Sequence, residues 1–287
     1  MVVSDNARKC VVFVGYVVEG KYKFAGTAFW VGRTITGFED TIATYLITAK
    51  HVIEKIKDLG IHEILLRVNL ADGKSVPISV PINLWRFHPT DKNVDVAILN
   101  IGMPDNWDHL MLPLTMFTSA KLITDHQIGV GDEVFITGLF RHHHGHKRNV
   151  PIIRIGNIAA MDEELVTTQE FGPISAYLIE ARSIGGLSGS PVFVNLGVVR
   201  KIDGEVRMSK GGDMVFFLGL IHGHFDVSTD RIDGALDPSV EHVNTGIAIV
   251  IPYYKIEEAL NHPDFIKGEE EIARRLQQNK LVKTWEP

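Results

Sequence analysis

The sequence predicts an all-β protein, built either as a β-sandwich or as a pair of barrels. Short runs rich in β-branched and aromatic residues recur along most of the chain, separated by Gly, Asp, Asn or Pro, and this spacing is typical of strands joined by tight turns. Hydrophobic residues make up 45% of the 287 residues, which is enough to bury a sizeable core. The predicted strands cover residues 11–18, 22–31, 42–48, 64–68, 76–84, 94–101, 133–137, 152–159, 176–180, 191–194, 214–222 and 246–251.

Two changes of pattern divide the chain into predicted domains. A Gly-Asp turn at residues 131–132 precedes a fresh apolar strand, which indicates the start of a second barrel. After Pro252 the apolar residues fall at helical spacing, and His262-Pro263-Asp264 separates two helical pieces. We expect this C-terminal helix to pack on the second barrel rather than to serve as a partner-binding arm. The predicted domains are an N-terminal barrel over 1–120, a second barrel over 121–252 and a C-terminal helical segment over 253–287.

Charge and cysteine content exclude several classes of protein. A formal net charge of −6 provides no cationic field that would attract nucleic acid or an anionic membrane surface. No run approaches the ~20 apolar residues that a membrane-spanning helix requires, and no apolar segment typical of a secretory signal follows the charged N-terminus. The single cysteine, Cys10, rules out an intrachain disulfide, so a reducing, cytoplasmic setting is the simplest expectation.

Three motifs carry residues that can act as a nucleophile, a base and an orienting acid. Ser188 lies between glycines in the segment GGLSGSPVF, His51 follows an apolar run in LITAKHV, and Asp95 lies in VDVAIL. Their order along the chain, His then Asp then Ser, is one of those in which unrelated folds build the same catalytic triad. Taken singly, the motifs also suit a tight turn, the end of a buried strand and an edge strand. Their joint presence favours the triad.

The three residue types fit one mechanism. A serine hydroxyl is a weak nucleophile, so it needs a general base within hydrogen-bond reach, and that base needs an acid that fixes its tautomer. His51 would accept the proton of Ser188, and Asp95 would hold the other ring nitrogen. Glycines beside the serine permit backbone angles that a Cβ would forbid, as is required when N–H groups are aimed at a developing oxyanion.

With these motifs in this order, most of the chain resembles the chymotrypsin-like (trypsin-like) serine peptidases. The segment around Ser188 is similar to the bacterial branches, the glutamyl endopeptidases and HtrA-type proteases. The resemblance implies a serine endopeptidase that acts on polypeptide without cofactor or metal, with its site in the cleft between two packed six-stranded antiparallel β-barrels. It assigns the oxyanion hole to the N–H groups of Gly186 and Ser188. Leu187 stands where zymogen-activated members have an aspartate, so activation by N-terminal cleavage is not expected.

The resemblance also assigns a specificity pocket. Arg182 and Ser183, shortly before the nucleophile, fall on one wall, and His222, Gly223 and His224 fall on the other. No aspartate lies at the base of this pocket, so we expect no preference for Lys or Arg before the cleaved bond, and a weak preference for acidic or polar residues. A second interpretation exposes Arg182 on the surface and gives His222 a supporting contact with the triad.

Four histidines lie close together in the segment RHHHGHKR at residues 141–148. Neutral imidazole binds zinc, copper or nickel, but the tract contains no acid or cysteine, adjacent side chains in an extended loop diverge, and its flanking cations disfavour a divalent ion. We therefore predict a solvated loop without metal. The alternative function, a catalytically silent chymotrypsin-like domain that binds a partner or senses a metal, rests on this tract.

Overall fold

The computed structural model describes residues 3–161, 163–168, 170–181, 185–208, 214–227 and 243–283. The all-β prediction is confirmed, and each of the predicted runs contains a strand. Two β-structures follow one another along the chain, and buried residues of both belong to one hydrophobic core. No helix among the described residues has the length and apolar character needed to cross a membrane.

The N-terminal sheet contains eight strands. They are β1 (Val11–Val18), β2 (Lys21–Ile35), β3 (Phe38–Thr48), β4 (Glu63–Asn69), β5 (Ser75–Pro81), β6 (Arg86–Phe87), β7 (Ala97–Asn100) and β8 (Leu112–Pro113). The order is β5-β4-β1-β2-β3-β7-β6, and β8 pairs in parallel with β2. The outer strands β5 and β6 are joined by one 3-10 turn, Ile82–Leu84, a link that spans at most ~17 Å. The predicted first six-stranded barrel is thus observed as an eight-stranded sheet, in which β5 and β6 form the two ends of the strand order and do not pair with each other.

Six antiparallel strands close the second barrel, as predicted. They are β9 (Glu133–Gly138), β10 (Ile152–Ala160), β13 (Tyr177–Glu180), β14 (Pro191–Asn195), β17 (Val215–Val227) and β18 (Val243–Pro252). Their order is β10-β13-β18-β17-β14-β9, and the pairing of β9 with β10 completes the ring. The limits of the predicted domains stay a prediction.

Two hairpins form small sheets of their own and were not among the predicted runs. They consist of β11 (Val166–Thr168) with β12 (Gly172–Ile174), and of β15 (Val199–Ile202) with β16 (Glu205–Met208). In the second hairpin the turn residues Asp203 and Gly204 have φ angles of 52° and 82°. An Asp-Gly pair is the sequence signal for such a turn, so this hairpin could have been predicted.

The C-terminal helices pack differently from the prediction. The α-helices within the described residues are α1 (Asp5–Lys9), α2 (Lys50–Asp58), α3 (Ala120–His126), α4 (Tyr253–Leu260) and α5 (Pro263–Lys283). Helix α4 contacts β17 and β18 of the second barrel, but α5 packs on the N-terminal sheet. Arg33 of β2 forms an ion pair with Glu269 at 2.7 Å, and the rings of Tyr45 and Phe265 lie 5.1 Å apart. Pro263 cannot continue α4, because it lacks an N–H group, and the chain changes direction there.

Aromatic side chains join the two β-structures into one core. The ring of Phe217 in β17 lies 5.2 Å from that of Phe29 in β2 and 4.4 Å from that of Phe117. Phe193 of β14 completes the group with a ring contact of 6.1 Å to Phe217. All four side chains are buried, so the cleft between the β-structures has a packed floor that holds the elements on its two sides in register.

A buried polar network around His109 ties the chain N-terminus to β4 and to the loop after β9. The Nδ1–H group of His109 donates to the carbonyl of Lys9 at 3.0 Å, and its Nε2 accepts from the N–H of Asn69 at 2.9 Å. The side-chain oxygen of Asn69 accepts in turn from the N–H of Asn149 at 2.7 Å. Burial lowers the pKa of His109 to about 4, because only the neutral ring fits one donor and one acceptor.

We expect the contribution of His109 to the free energy of unfolding to fall by about 3 kcal/mol as the pH drops from about 6.5 to about 4. In this window the unfolded chain binds a proton at His109 and the folded chain does not, so the stabilisation is complete above the window and lost below it. Urea unfolding at several pH values measures it. His109→Gln should flatten the slope, and His62→Gln, at an exposed histidine, should keep it. A wild-type slope in His109→Gln would contradict the assignment.

Candidate active site

Strand pairing brings His51 and Asp95 together. Strand β3 pairs antiparallel with β7, and Thr48 lies opposite Ala97. Ala49 then caps helix α2, so that His51 lies in its first turn, while Asp95 lies just before β7. Both residues therefore extend past the same end of one β-ladder. Their proximity follows from the register of β3 and β7.

The carboxylate of Asp95 accepts hydrogen bonds from two histidines. The backbone N–H of His51 donates to Oδ1 at 2.8 Å, and the His51 ring nitrogen Nδ1 lies 2.7 Å from Oδ2. His222 of β17 places its own Nδ1 2.6 Å from the same Oδ2. Because an ionised carboxylate only accepts, both rings donate through Nδ1–H. A ring that is neutral and donates through Nδ1–H keeps a lone pair on Nε2.

Asp95 is ionised in this arrangement. Its side chain is fully buried, and burial, the largest single influence, raises the pKa of a carboxyl group. The charge and hydrogen bond of His51 and the hydrogen bond of His222 together outweigh burial and hold the pKa of Asp95 well below its usual range. The site thus contains a permanent negative charge that faces two imidazoles.

His51, Asp95 and His222 are also the one group of possible metal ligands among the described residues, with donor atoms within 4.8 Å of one another. Both imidazoles lie at hydrogen-bond distance from the carboxylate. A ring whose Nδ1–H donates to the carboxylate has only Nε2 left to offer to a metal ion.

Thr27 of β2 holds the segment around Ser188 from the opposite β-structure. Its N–H donates to the carbonyl of Ser188 at 2.9 Å. The Thr27 hydroxyl donates to the carbonyl of Gly186 and accepts from the N–H of Leu139, both at 2.9 Å. The Thr27 carbonyl accepts from the hydroxyl of Thr48 at 2.7 Å. Every polar group of this buried threonine is therefore paired, and two of its bonds fix the segment around Ser188.

Glycines on both sides of Ser188 adopt angles that favour glycine. Gly186 has φ of +107° and Gly189 has φ of +81°, and a Cβ added at Gly189 would lie 2.2 Å from the carbonyl of Thr27. The N–H groups of Gly186 and Ser188 donate no hydrogen bond to any described residue. N–H groups of this kind can stabilise an oxyanion, and the assignment of Gly186 and Ser188 to an oxyanion hole stays a prediction.

Ser188 and Ser190 differ in their surroundings. Ser188 is partly exposed and lines the same pocket as His51, whereas Ser190 is fully buried and its hydroxyl lies against Gly138 of β9. The Ser188 hydroxyl donates no hydrogen bond to the described residues. Hydrogen bonds between a serine and a general base are often long in sites without substrate and shorten when substrate binds.

The pocket beside Ser188 has a volume of about 300 Å³. Its wall combines predicted residues with residues that the sequence analysis missed. It is lined by His51, Lys55, Thr167, Thr168, Glu170, Ser188, His222, Gly223, His224, Phe225 and Ile249. Lys55 of α2 and Glu170 of the β11–β12 hairpin form an ion pair at 2.6 Å. No sequence signal marks this pair, because the hairpin reaches the pocket only in the folded chain.

Only some of the predicted specificity residues lie in the described part of the chain. His222, Gly223 and His224 line the pocket, whereas Arg182 and Ser183 lie outside the described residues. The ring of His222 both borders the pocket and contacts Asp95. The structure is therefore compatible with both interpretations of His222, as part of the pocket wall and as a support for Asp95.

The segment at residues 141–148 packs on the N-terminal sheet more closely than a solvated loop would. The Arg67 guanidinium donates to the carbonyls of Gly145 and His146, both at 2.9 Å. The ring of His144 lies 4.4 Å from that of Phe24. Other histidines of the segment are exposed, and none of them belongs to a group of possible metal ligands within the described part of the chain.

Comparison with solved structures identifies the architecture. The structure of Deg5 is 17% identical, the match covers 88% of each chain, and the TM-score is 0.50. This chain has a chymotrypsin-like fold. The active form of the Rv3671c protease from M. tuberculosis is 16% identical over 88% of this chain and 80% of that chain, with a TM-score of 0.49. The MamO protease domain from Magnetospirillum magneticum is 16% identical over 88% and 96%, with a TM-score of 0.48. No protein-family model and no curated protein matches the sequence.

Within this chymotrypsin-like fold, Thr27→Val should lower the free energy of unfolding by about 2–4 kcal/mol, because a buried N–H and a buried carbonyl lose their partner. The loosened segment around Ser188 should also react more slowly with a fluorophosphonate. Urea unfolding and labelling kinetics measure the two effects, and Thr27→Ser should preserve both wild-type values closely.

Thr137→Val is the matched control for this prediction. Thr137 is buried to the same degree as Thr27, but its hydroxyl has no hydrogen-bond partner among the described residues. The same substitution there should be neutral or stabilising. Equal losses at the two positions would show that the Thr27 hydrogen bonds are not the cause.

Proposed function

We propose that this protein is a serine endopeptidase in which Ser188 is the nucleophile, His51 the general base and Asp95 the acid that orients His51. The observation that carries the proposal is the pair of hydrogen bonds from the backbone and ring of His51 to the two oxygens of Asp95, 2.8 and 2.7 Å long. They support a ring turned with Nε2 towards the pocket that Ser188 also lines. The same function is supported by the chymotrypsin-like fold and by the N–H groups of Gly186 and Ser188, which donate to no residue in the described part of the chain.

The proposed reaction has two halves. In the first, Nε2 of His51 takes the Ser188 proton as Oγ bonds to the carbonyl carbon of a peptide bond, and the oxyanion is held by the N–H groups of Gly186 and Ser188. The C–N bond breaks, and the imidazolium gives its proton to the departing amine nitrogen, which leaves an acyl ester on Ser188. In the second half, His51 takes a proton from water, the hydroxide oxygen bonds to the ester carbon, and Ser188 regains its proton as the C–O bond breaks.

The proposed substrate is polypeptide laid across the cleft between the two β-structures. No metal or cofactor enters the proposed steps. Nucleic acid and membrane lipid are disfavoured as partners by the net charge of −6. The single cysteine, Cys10, is fully buried, and burial raises its pKa to about 12. A protein without disulfides and with a masked thiol suits a reducing compartment, so we also propose a cytoplasmic location.

Ser188→Ala should abolish labelling by a fluorophosphonate probe and hydrolysis of peptides while leaving the fold intact, because only the nucleophile is lost. Ser190→Ala is the matched control, two residues further on and buried in the barrel. The Ser190→Ala variant should still be labelled by the probe. Labelling that survives Ser188→Ala and disappears in Ser190→Ala would refute the assignment, and a folded wild-type protein that never labels would favour the silent binding module.

Cleavage should be rare after Lys or Arg and weakly enriched after acidic or polar residues. The pocket includes His224 as a possible donor, and its one acid among the described lining residues, Glu170, is paired with Lys55 at 2.6 Å. A hydrogen bond to a charged group is worth ~1.5–3 kcal/mol, or about one to two decades in rate when it is made in the transition state. A proteome-derived peptide library measures the preference.

The control variants for this preference are two histidine substitutions. His224→Ala should reduce cleavage after acidic residues, whereas His126→Ala, outside the pocket, should leave the cleavage statistics unchanged. Predominant cutting after Lys or Arg would overturn the pocket assignment.

A further inference from the structure

One carboxylate oxygen in this site accepts hydrogen bonds from two imidazoles. Oδ2 of Asp95 lies 2.7 Å from Nδ1 of His51 and 2.6 Å from Nδ1 of His222. The two rings are 5.5 Å apart between centroids and inclined at 79°. They therefore approach Oδ2 from different directions, while Oδ1 accepts the backbone N–H of His51.

The protons of this group can be assigned. A buried, ionised carboxylate offers only acceptor sites, so each ring donates Nδ1–H to it. During the proposed reaction His51 becomes an imidazolium, and the charge of Asp95 must then stabilise that ring. His222 restrains the same carboxylate through the hydrogen bond at its Nδ1.

The fold holds His222 in place from several sides. Its neighbour Ile221 accepts a hydrogen bond from the N–H of Gly189 at 2.7 Å and donates one to the carbonyl of Ser190 at 2.9 Å. The position of His222 is thus coupled to the segment that carries the nucleophile. On the other side, the ring of Phe171 lies 5.6 Å from that of His222 at an angle of 70°. His222 is only 8% exposed.

The tip of the β11–β12 hairpin is itself fastened to helix α2. The ammonium group of Lys50 lies 5.3 Å from the ring of Phe171, and Lys55 pairs with Glu170. Phe171 therefore borders the ring of His222 and also contacts the helix that carries His51. The His222 ring presents Nδ1 to Asp95.

We propose that His222 is a positioning residue, whose Nδ1–H locks the Asp95 carboxylate so that both of its oxygens face His51. This inference rests on the proposed peptidase function. It differs from a role in the wall of the specificity pocket, because a positioning residue acts on the chemical step whatever the substrate. A pocket residue acts on substrate affinity and on the choice of cleavage site.

Kinetics of His222→Leu and His222→Asn distinguish these roles. The leucine variant removes the donor and should lower kcat, and the maximal labelling rate with the fluorophosphonate, by about 10- to 100-fold, the range for losing a hydrogen bond to a charged group. KM and the cleavage statistics should stay unchanged. The asparagine side chain places an N–H near the position of Nδ1, so it should restore most of the rate. A changed KM or cleavage preference with an unchanged maximal rate would overturn the proposal.

Proton NMR tests the contact without any activity. Imidazole protons held by a buried carboxylate resonate far downfield, and we expect one such signal from His51 and one from His222. Each should disappear in its own variant, His51→Gln or His222→Leu, and both should persist in Ser188→Ala. A folded protein that shows both signals, but is not labelled and does not cleave peptides, would refute the peptidase function. The contact between His222 and Asp95 would still stand. An active protein that lacks the His222 signal would overturn the positioning role.

Discussion

The buried negative charge of Asp95 is the constraint on which the site depends. Moving a carboxylate out of water costs several kcal/mol unless hydrogen bonds replace its hydration. Three N–H groups do so: the backbone and ring of His51 and the ring of His222. Two of them come from helix α2 beside the N-terminal sheet, and the third comes from β17 of the second barrel. The hydrogen bonds that compensate the buried charge therefore come from both β-structures.

The segment around Ser188 is likewise held by both β-structures, here through hydrogen bonds between uncharged groups. Its backbone is bonded from one side by Thr27 of β2 and from the other by Ile221 of β17. Below it, the contact of Phe29 with Phe217 fills the floor of the cleft. For the proposed nucleophile, bonds from both sides leave little freedom to be lost when substrate binds, which is the condition for efficient positioning. Preorganisation of the site is therefore a property of the interface between the β-structures.

Local pattern predicted most of the architecture and failed where a segment had no apolar run of its own. The strands were predictable because alternation of apolar and polar residues reflects burial on one face. The β11–β12 hairpin is too short and too polar to produce that signal, although it supplies Glu170 and Phe171 to the site. Helix α5 was predictable as a helix, but its partner was not. Its ion pair with Arg33 joins residues 236 positions apart, and no local pattern encodes such a pairing.

The sequence by itself determined the types of residue and their order: a serine between glycines, a histidine at the end of one strand and an aspartate at the start of another. These features are local, because they follow from backbone freedom and from the ends of apolar runs. Only the tertiary structure decided which atoms meet. His222 contacts an acid 127 positions away, and the Thr27 hydroxyl bonds a carbonyl 159 positions away. Such contacts depend on how two β-structures dock, and docking is set by the packing of the whole core and not by any single segment.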